Sequence, residues 1–253
     1  MEAKSVGAIR EEFKAAEDQM LPSFIQKYQA DGRAGVQNLL AQAGRRLEKL
    51  KKEQARMEAL KKYEREYGEY EWICGVDEAG RGPLAGPVVA GAVILPRDCD
   101  ILYINDSKQL SAAKREELYE IITERAVSVG IGIVGPGRID EINILNATYE
   151  AMREAISKLG KKPDILLNDA VRIPGIEIPQ APIIKGDAKS ISIGAASIVA
   201  KVTRDRLMEE YDKLMPEYGF ASHKGYGTAG HIEAIRTYGP TPIHRVSFIG
   251  KFV

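Results

Sequence analysis

At 253 residues the chain has room for one large domain, or for one domain with an extension. Its 36 basic and 36 acidic residues cancel, which excludes a global positive field, so any contact with nucleic acid must come from local patches. Two cysteines without metal-site spacing (Cys74 and Cys99), no stretch of about 18 apolar residues and no basic-then-apolar start point to a reduced, soluble, cytoplasmic protein.

Composition changes near residue 70. Residues 1–70 are highly charged and poor in strand formers, and read as a helical extension. Helices are expected over Ser5–Tyr28 and Ala34–Tyr67, parted by the Asp31-Gly32 turn signal. In the second, Leu39, Leu40, Ala43, Leu47, Leu50, Met57 and Leu60 recur at helical spacing. Nine basic residues (Arg45, Arg46, Lys49, Lys51, Lys52, Arg56, Lys61, Lys62 and Arg65) face only Glu48, Glu53, Glu58 and Glu64. That set is either a solvated face laced by i,i+4 pairs or an accessory nucleic-acid contact.

Residues 71–253 alternate between strand and helix patterns. Trp72–Val76 and Val88–Leu95 are apolar runs too close in sequence for a parallel crossover, so they should pair antiparallel. A helix from Ser111 to Arg125, with Ser111 as N-cap, precedes a third strand in which Val127, Val129, Ile131 and Ile133 alternate. A helix over Ile139–Leu159 places Ile142, Leu145, Tyr149, Met152, Ile156 and Leu159 on one face. Short strands follow at Ile165–Leu167 and Pro182–Lys185, then a long helix from Ala188 to about Leu214 and a last one over Thr228–Tyr238, closed by Gly239-Pro240. The sum is an α/β fold with five strands, partly parallel, flanked by helices.

Acidic residues recur where these strands end: Asp77 and Glu78 after the first, Asp169 after the fourth, Asp187 after the fifth. Sites in open α/β sheets form at the carboxyl ends of strands. If the strands are neighbours, the four carboxylates converge, and their repulsion calls for divalent cations, magnesium or manganese by their preference for oxygen. Two ions about 3.5–4 Å apart would clamp a phosphodiester. Taken singly, Asp187 also suits a helix N-cap and Asp169 a turn; the Asp77-Glu78 pair has no such use, because a buried strand exit needs neither acid.

Gly80-Arg81-Gly82-Pro83 follows at once. It is either a tight turn or a loop whose glycines let backbone approach a ligand while Arg81 meets phosphate. Near the C-terminus, His223-Lys224-Gly225-Tyr226-Gly227-Thr228 joins one aromatic to a lysine, a pairing suited to bases, sugars and phosphates, or else anchors Tyr226 on the core. The three histidines, His223, His231 and His244, lack zinc spacing, and His223 is expected at the surface.

The run Gly75-Val76-Asp77-Glu78-Ala79-Gly80-Arg81-Gly82-Pro83-Leu84-Ala85-Gly86-Pro87-Val88-Val89 resembles the signature of type 2 ribonucleases H, bacterial ribonuclease HII. The resemblance continues through Asp106–Leu110, Asp140–Ile144, Lys185–Asp187, Ala195–Asp205 and His223–Tyr226. It implies a ribonuclease H-like mixed five-stranded sheet and an endonuclease that cuts the RNA strand of RNA–DNA hybrids and cleaves 5′ of single ribonucleotides in duplex DNA, as a monomer. Asp77, Glu78, Asp169 and Asp187 are similar to the family's catalytic and metal-holding acids, with two magnesium or manganese ions expected in the substrate complex. Gly80, Arg81 and Gly82 resemble the loop that senses the 2′-OH, the group that separates RNA from DNA. Tyr226 resembles the tyrosine that stacks on the sugar at the DNA-to-RNA junction. Lys108, Lys185, Ser197, Lys201, Arg204 and Lys224 are further candidates for substrate contacts. Two features depart from the pattern: the third acid stands in Asn168-Asp169-Ala170, where the family often has an apolar residue before and a glycine after, and many members lack an extension like residues 1–70.

Overall fold

The computed structural model describes residues 4–253, and compact grouping divides the chain between Ala59 and Leu60. In the first unit, helix α1 (Val6–Ala15) and helix α2 (Leu21–Tyr28) pack with the start of α3 (Ala34–Leu60). Ile9, Leu21, Phe24, Tyr28, Val36, Leu39 and Ala43 form their core. The single helix expected over residues 5–28 is broken: Ala16 is extended, a 3₁₀ turn spans Asp18–Met20, and Pro22 then starts α2, where its missing N–H costs nothing. On α3, Lys52 pairs with Glu48 and Arg56 with Glu53, the i,i+4 and i,i+3 contacts expected of a solvated face. The helix expected to reach Tyr67 ends at Leu60, and a separate short helix α4 (Lys62–Glu66) follows.

The second unit is built on one sheet, with order β3-β2-β1-β4-β5 among the described residues. Strands β1 (Ile73–Ala79), β2 (Val88–Ile94) and β3 (Ser128–Val134) are antiparallel neighbours; β4 (Ile165–Asp169) and β5 (Gln180–Ile183) run parallel to β1. Helix α5 (Ala112–Arg125) starts on the expected Ser111 cap, whose hydroxyl accepts from the Lys114 amide. Helix α6 (Pro136–Ser157) covers one face of the sheet, over Cys74, Val76, Val88, Ala90 and Leu166. Asn143, at φ 66°, kinks α6, which ends the single apolar stripe expected there: Leu145 is exposed while Ala147, Ala151 and Ala155 are buried.

Helix α7 (Ile191–Leu214) crosses the other face. It lies so close that any side chain at Gly75 would strike the backbone of Ser192. Beyond it, α8 (Phe220–His223), α9 (Ala229–Tyr238) and α10 (Val246–Ile249) gather around Leu84, Met208, Tyr218, Phe220 and Ile235. Both cysteines are free and buried. Among the described residues no helix is long and apolar enough to cross a membrane.

Candidate active site

The strand order explains why distant acids meet. β1, β4 and β5 are adjacent and parallel, so their carboxyl ends share one edge of the sheet. Asp77 and Glu78 lie within β1 rather than after it, and Asp169 is the last residue of β4. Asp187 sits in a 3₁₀ turn, Gly186–Ala188, just past β5. It caps no long helix: Ser190 caps α7, accepting from the Ile193 amide. The Gly186 amide donates to Asp169 Oδ1 at 2.7 Å, which ties the fourth acid's turn to the third acid. Ala170 stands at φ 55°, a left-handed conformation that glycine adopts without cost; this is the local consequence of alanine following Asp169.

The electrostatics are those of crowded carboxyls. Burial first, then the Glu78 charge, raises the Asp77 carboxyl well above its ordinary value, against a hydrogen bond from Ser197; Asp169 adds to the rise. Asp77 is only 5 % exposed. Burial also raises Glu78, opposed chiefly by Arg81, whose Nη1 donates to Glu78 Oε1 at 3.2 Å. Asp187 is raised by burial, then by Asp169 and Asp106. Lys108 lies in the same field: its burial disfavours the charge, and Asp106, Asp77 and Asp187 together more than restore it.

Among the described residues no three His, Cys, Asp or Glu side chains are drawn up as a closed metal cage; Glu78 leans to Arg81 and Asp169 to the Gly186 amide. The donor set nevertheless fits a hard divalent cation. It offers carboxylate oxygens, and the burial and then the mutual repulsion that raise Asp77 and Asp187 are what such a charge offsets.

Two buried arginines shape the loop that follows β1. Arg204, 1 % exposed, donates to the carbonyls of Ala85, Pro87 and Lys224 at 2.9–3.0 Å. Expected to meet substrate, it is instead fully engaged by backbone, and a side chain at Gly80 (φ 93°) would collide with it. Arg245, which sequence reasoning missed, is 0 % exposed. Its guanidinium donates to Gly80, Arg81 and Gly86 carbonyls. A cation buried among carbonyls is costly without a carboxylate in contact, and burial, then the like charge of Arg204, pulls Arg245 down to about 9. With these carbonyls held inward, Gly80 stays buried while Arg81 and Gly82 face outward. Gly82 has room for a methyl, whose nearest neighbour would be the Tyr226 ring at 3.8 Å, and Tyr226 is 45 % exposed. No short motif marks Arg245, because its partners lie about 160 residues away and are backbone atoms.

The remaining candidates separate. Ser197 is buried between Asp77 and the Ser107 hydroxyl, whose Oγ lies 3.0 Å from its own. Lys185 is exposed beside Asp187, in the left-handed region at φ 57°. Lys201 pairs with Asp205, and Lys224 with Glu209, each at 2.6 Å.

With this geometry in hand, comparison with known proteins is specific. The family model "Ribonuclease HII" matches residues 74–251, and "Ribonuclease HII N-terminal domain" matches residues 5–68. Ribonuclease HII of Lachnoclostridium phytofermentans is 67% identical over 223 residues, 88% of each chain. That of Clostridioides difficile is 55% identical over 251 residues, 98% of each. Among solved structures, the ribonuclease H2 of Pyrococcus horikoshii superposes with a TM-score of 0.58 at 31% identity, covering 70% of this chain and 93% of that one. Bst-RNase HIII in complex with Mn2+ has a TM-score of 0.55 at 18% identity over 70% of this chain and 67% of that one, a likeness of fold.

Proposed function

The chain belongs to the ribonuclease HII family, metal-dependent endoribonucleases that act on RNA–DNA hybrids, and from that premise we propose that it also cleaves 5′ of single ribonucleotides embedded in duplex DNA, leaving 3′-OH and 5′-phosphate ends. The observation that carries this reading is the adjacency of two devices: four carboxyls at the ends of three parallel strands, and an outward-facing glycine loop with an exposed tyrosine beside it. Asp77, Glu78, Asp169 and Asp187 are the catalytic acids and would hold magnesium or manganese, two ions in the substrate complex. What the ions supply when bound is Lewis acidity toward the phosphate and a more acidic attacking water. The manganese in the structurally similar Bst-RNase HIII supports that choice of metal.

The chain's own residues do the selecting. Gly80, Arg81 and Gly82 approach the ribose and read its 2′-OH, a group a glycine backbone can reach without side-chain obstruction. Tyr226 stacks on the sugar at the junction. Lys108 stays protonated among the acids and approaches the substrate backbone with Lys185. Residues 1–70 add an accessory contact through the basic residues between Arg45 and Arg65, and the chain acts as a monomer. Three duplexes test the proposal: all-DNA, DNA with one ribonucleotide, and RNA–DNA hybrid. Cutting 5′ of the lone ribonucleotide, with the all-DNA duplex intact, is expected; equal cutting of all three would remove the sensing role of the 80–82 loop.

A further inference from the structure

All three histidines of the chain meet around the turn that carries Tyr226. The chain reverses there through two successive left-handed residues, Lys224 at φ 53° and Gly225 at φ 86°. A non-glycine residue keeps that conformation only where its surroundings hold it. The His223 and His231 rings stack with centroids 4.4 Å apart, and Nε2 of His231 lies 3.0 Å from Nε2 of His244.

The bonding partners fix where each proton resides. The Thr241 amide donates to His244 Nδ1 at 2.9 Å, so that nitrogen is bare and the neutral ring carries its hydrogen on Nε2. That hydrogen points at His231 Nε2, which therefore accepts. His231 is left with its hydrogen on Nδ1, which donates to the Tyr226 carbonyl at 2.9 Å. In the same way the Gly225 amide donates to His223 Nδ1, and His223 Nε2–H donates to the Tyr218 carbonyl. Three neutral rings thus hold one tautomer each. Burial suits this state, lowering His231 and pulling His244 down to about 4.

Apolar side chains would fill this space, among Tyr218 and Phe220, without the cost of burying imidazoles. What they could not supply is a directed donor to the Tyr226 carbonyl. That carbonyl also accepts the Thr228 amide at 2.8 Å, and the Tyr226 amide donates to the His223 carbonyl at 2.9 Å. The backbone of Tyr226 is fixed at every polar atom while its ring stays exposed beside Gly82. We propose that His231, oriented by His244, is a positioning residue for Tyr226, holding its ring at the height where it meets the substrate sugar and so setting the affinity for the ribonucleotide junction. The proposal rests on the reading of Tyr226 as the stacking residue.

Steady-state kinetics on duplex DNA with one ribonucleotide test it. An asparagine amide reproduces a histidine Nδ1–H donor and a glutamine amide reproduces Nε2–H, so the two sites should prefer opposite replacements. H231N should stay within about threefold of wild type, while H231Q should raise KM roughly tenfold with kcat little changed. At 244 the order inverts, with H244Q tolerated and H244N impaired; this pair keeps the test open should H231Q fail to fold. Y226A should raise KM at least as much as H231Q, and the Y226A/H231Q double variant should be no worse than Y226A alone. Equal losses from asparagine and glutamine at both sites, or a full further loss in the double variant, would overturn the positioning role. A Y226A enzyme with wild-type KM would overturn the stacking reading itself, an outcome visible in the single variant.

Discussion

Replacing Arg245 with methionine removes the guanidinium that ties the 80–86 loop to the C-terminal segment. Three carbonyls, those of Gly80, Arg81 and Gly86, lose their donor. Each hydrogen bond to a charged group is worth about 1.5–3 kcal/mol. Part of that sum is returned, because a cation buried beside Arg204 and without a carboxylate in contact is itself costly. The net expectation is a loss of about 3–5 kcal/mol, and at this chain length that lowers the melting temperature by roughly 10 °C. Methionine keeps the packing volume, so the loss reports on the hydrogen bonds rather than on a cavity. Thermal melting followed by circular dichroism gives the first readout, and KM on a single-ribonucleotide duplex the second. The loop should lose its inward-facing carbonyls and KM should rise. A melting temperature within about 2 °C of wild type, together with unchanged KM, would refute the claim that Arg245 organises the loop.

The loop's two glycines should behave differently. G80A forces a methyl onto Arg204 at a positive φ and should cost about 2 kcal/mol or more in urea unfolding; G82A has open space, should fold normally, and should blunt the preference for ribonucleotide over all-DNA substrate. Stability should fall with acid through His244. Its native value is about 4 against an ordinary 6.5, so between these pH values the unfolded chain binds the proton and the native one does not. Up to about 3 kcal/mol is then lost as pH drops from 6.5 to 4, and H244Q should flatten that slope in pH-dependent melting. For the extension, removal should stop at Ala59, because Glu64 accepts from the Ser190 hydroxyl and the Ser192 amide at the start of α7. That shortened chain should bind substrate more weakly and with a shallower salt dependence; identical salt slopes would leave the basic residues of α3 as a solvated face.

Asp77-Glu78 stood out because a buried strand has no structural use for the pair; β4, reached through α6, and β5, reached by the loop after Asp169, run parallel to β1 and bring Asp169 and Asp187 to the same edge. The antiparallel β1–β2 pair followed from its short connection, whereas the order that makes β1, β4 and β5 neighbours is a property of the folded sheet. Other features left no local trace. The kink at Asn143 interrupts a run whose apolar spacing is helical throughout. The break at Ala16 ends α1 with neither glycine nor proline at the cap itself. Arg204, expected at the substrate, and Arg245, not singled out, are buried against the usual exposure of basic residues; their partners are carbonyls brought near by the fold. His223, expected at the surface, has both ring nitrogens bonded to backbone, and His231 and His244 join it from separate elements. Such clusters form by tertiary packing, so spacing in sequence does not announce them.

On the function proposed above, the carboxyls of Asp77, Glu78, Asp169 and Asp187 perform the cleavage and do not hold the fold. The direct measurement pairs turnover and melting temperature for Asp77→Asn, with magnesium and with manganese, on the single-ribonucleotide duplex. Asparagine removes a buried charge that Glu78 and Asp169 repel, so the variant should melt at or above the wild-type temperature in metal-free buffer while cleavage falls by roughly 10³-fold or more. Turnover near wild type with either ion would contradict the account, and so would a collapse of the melting temperature that accompanies the loss of activity.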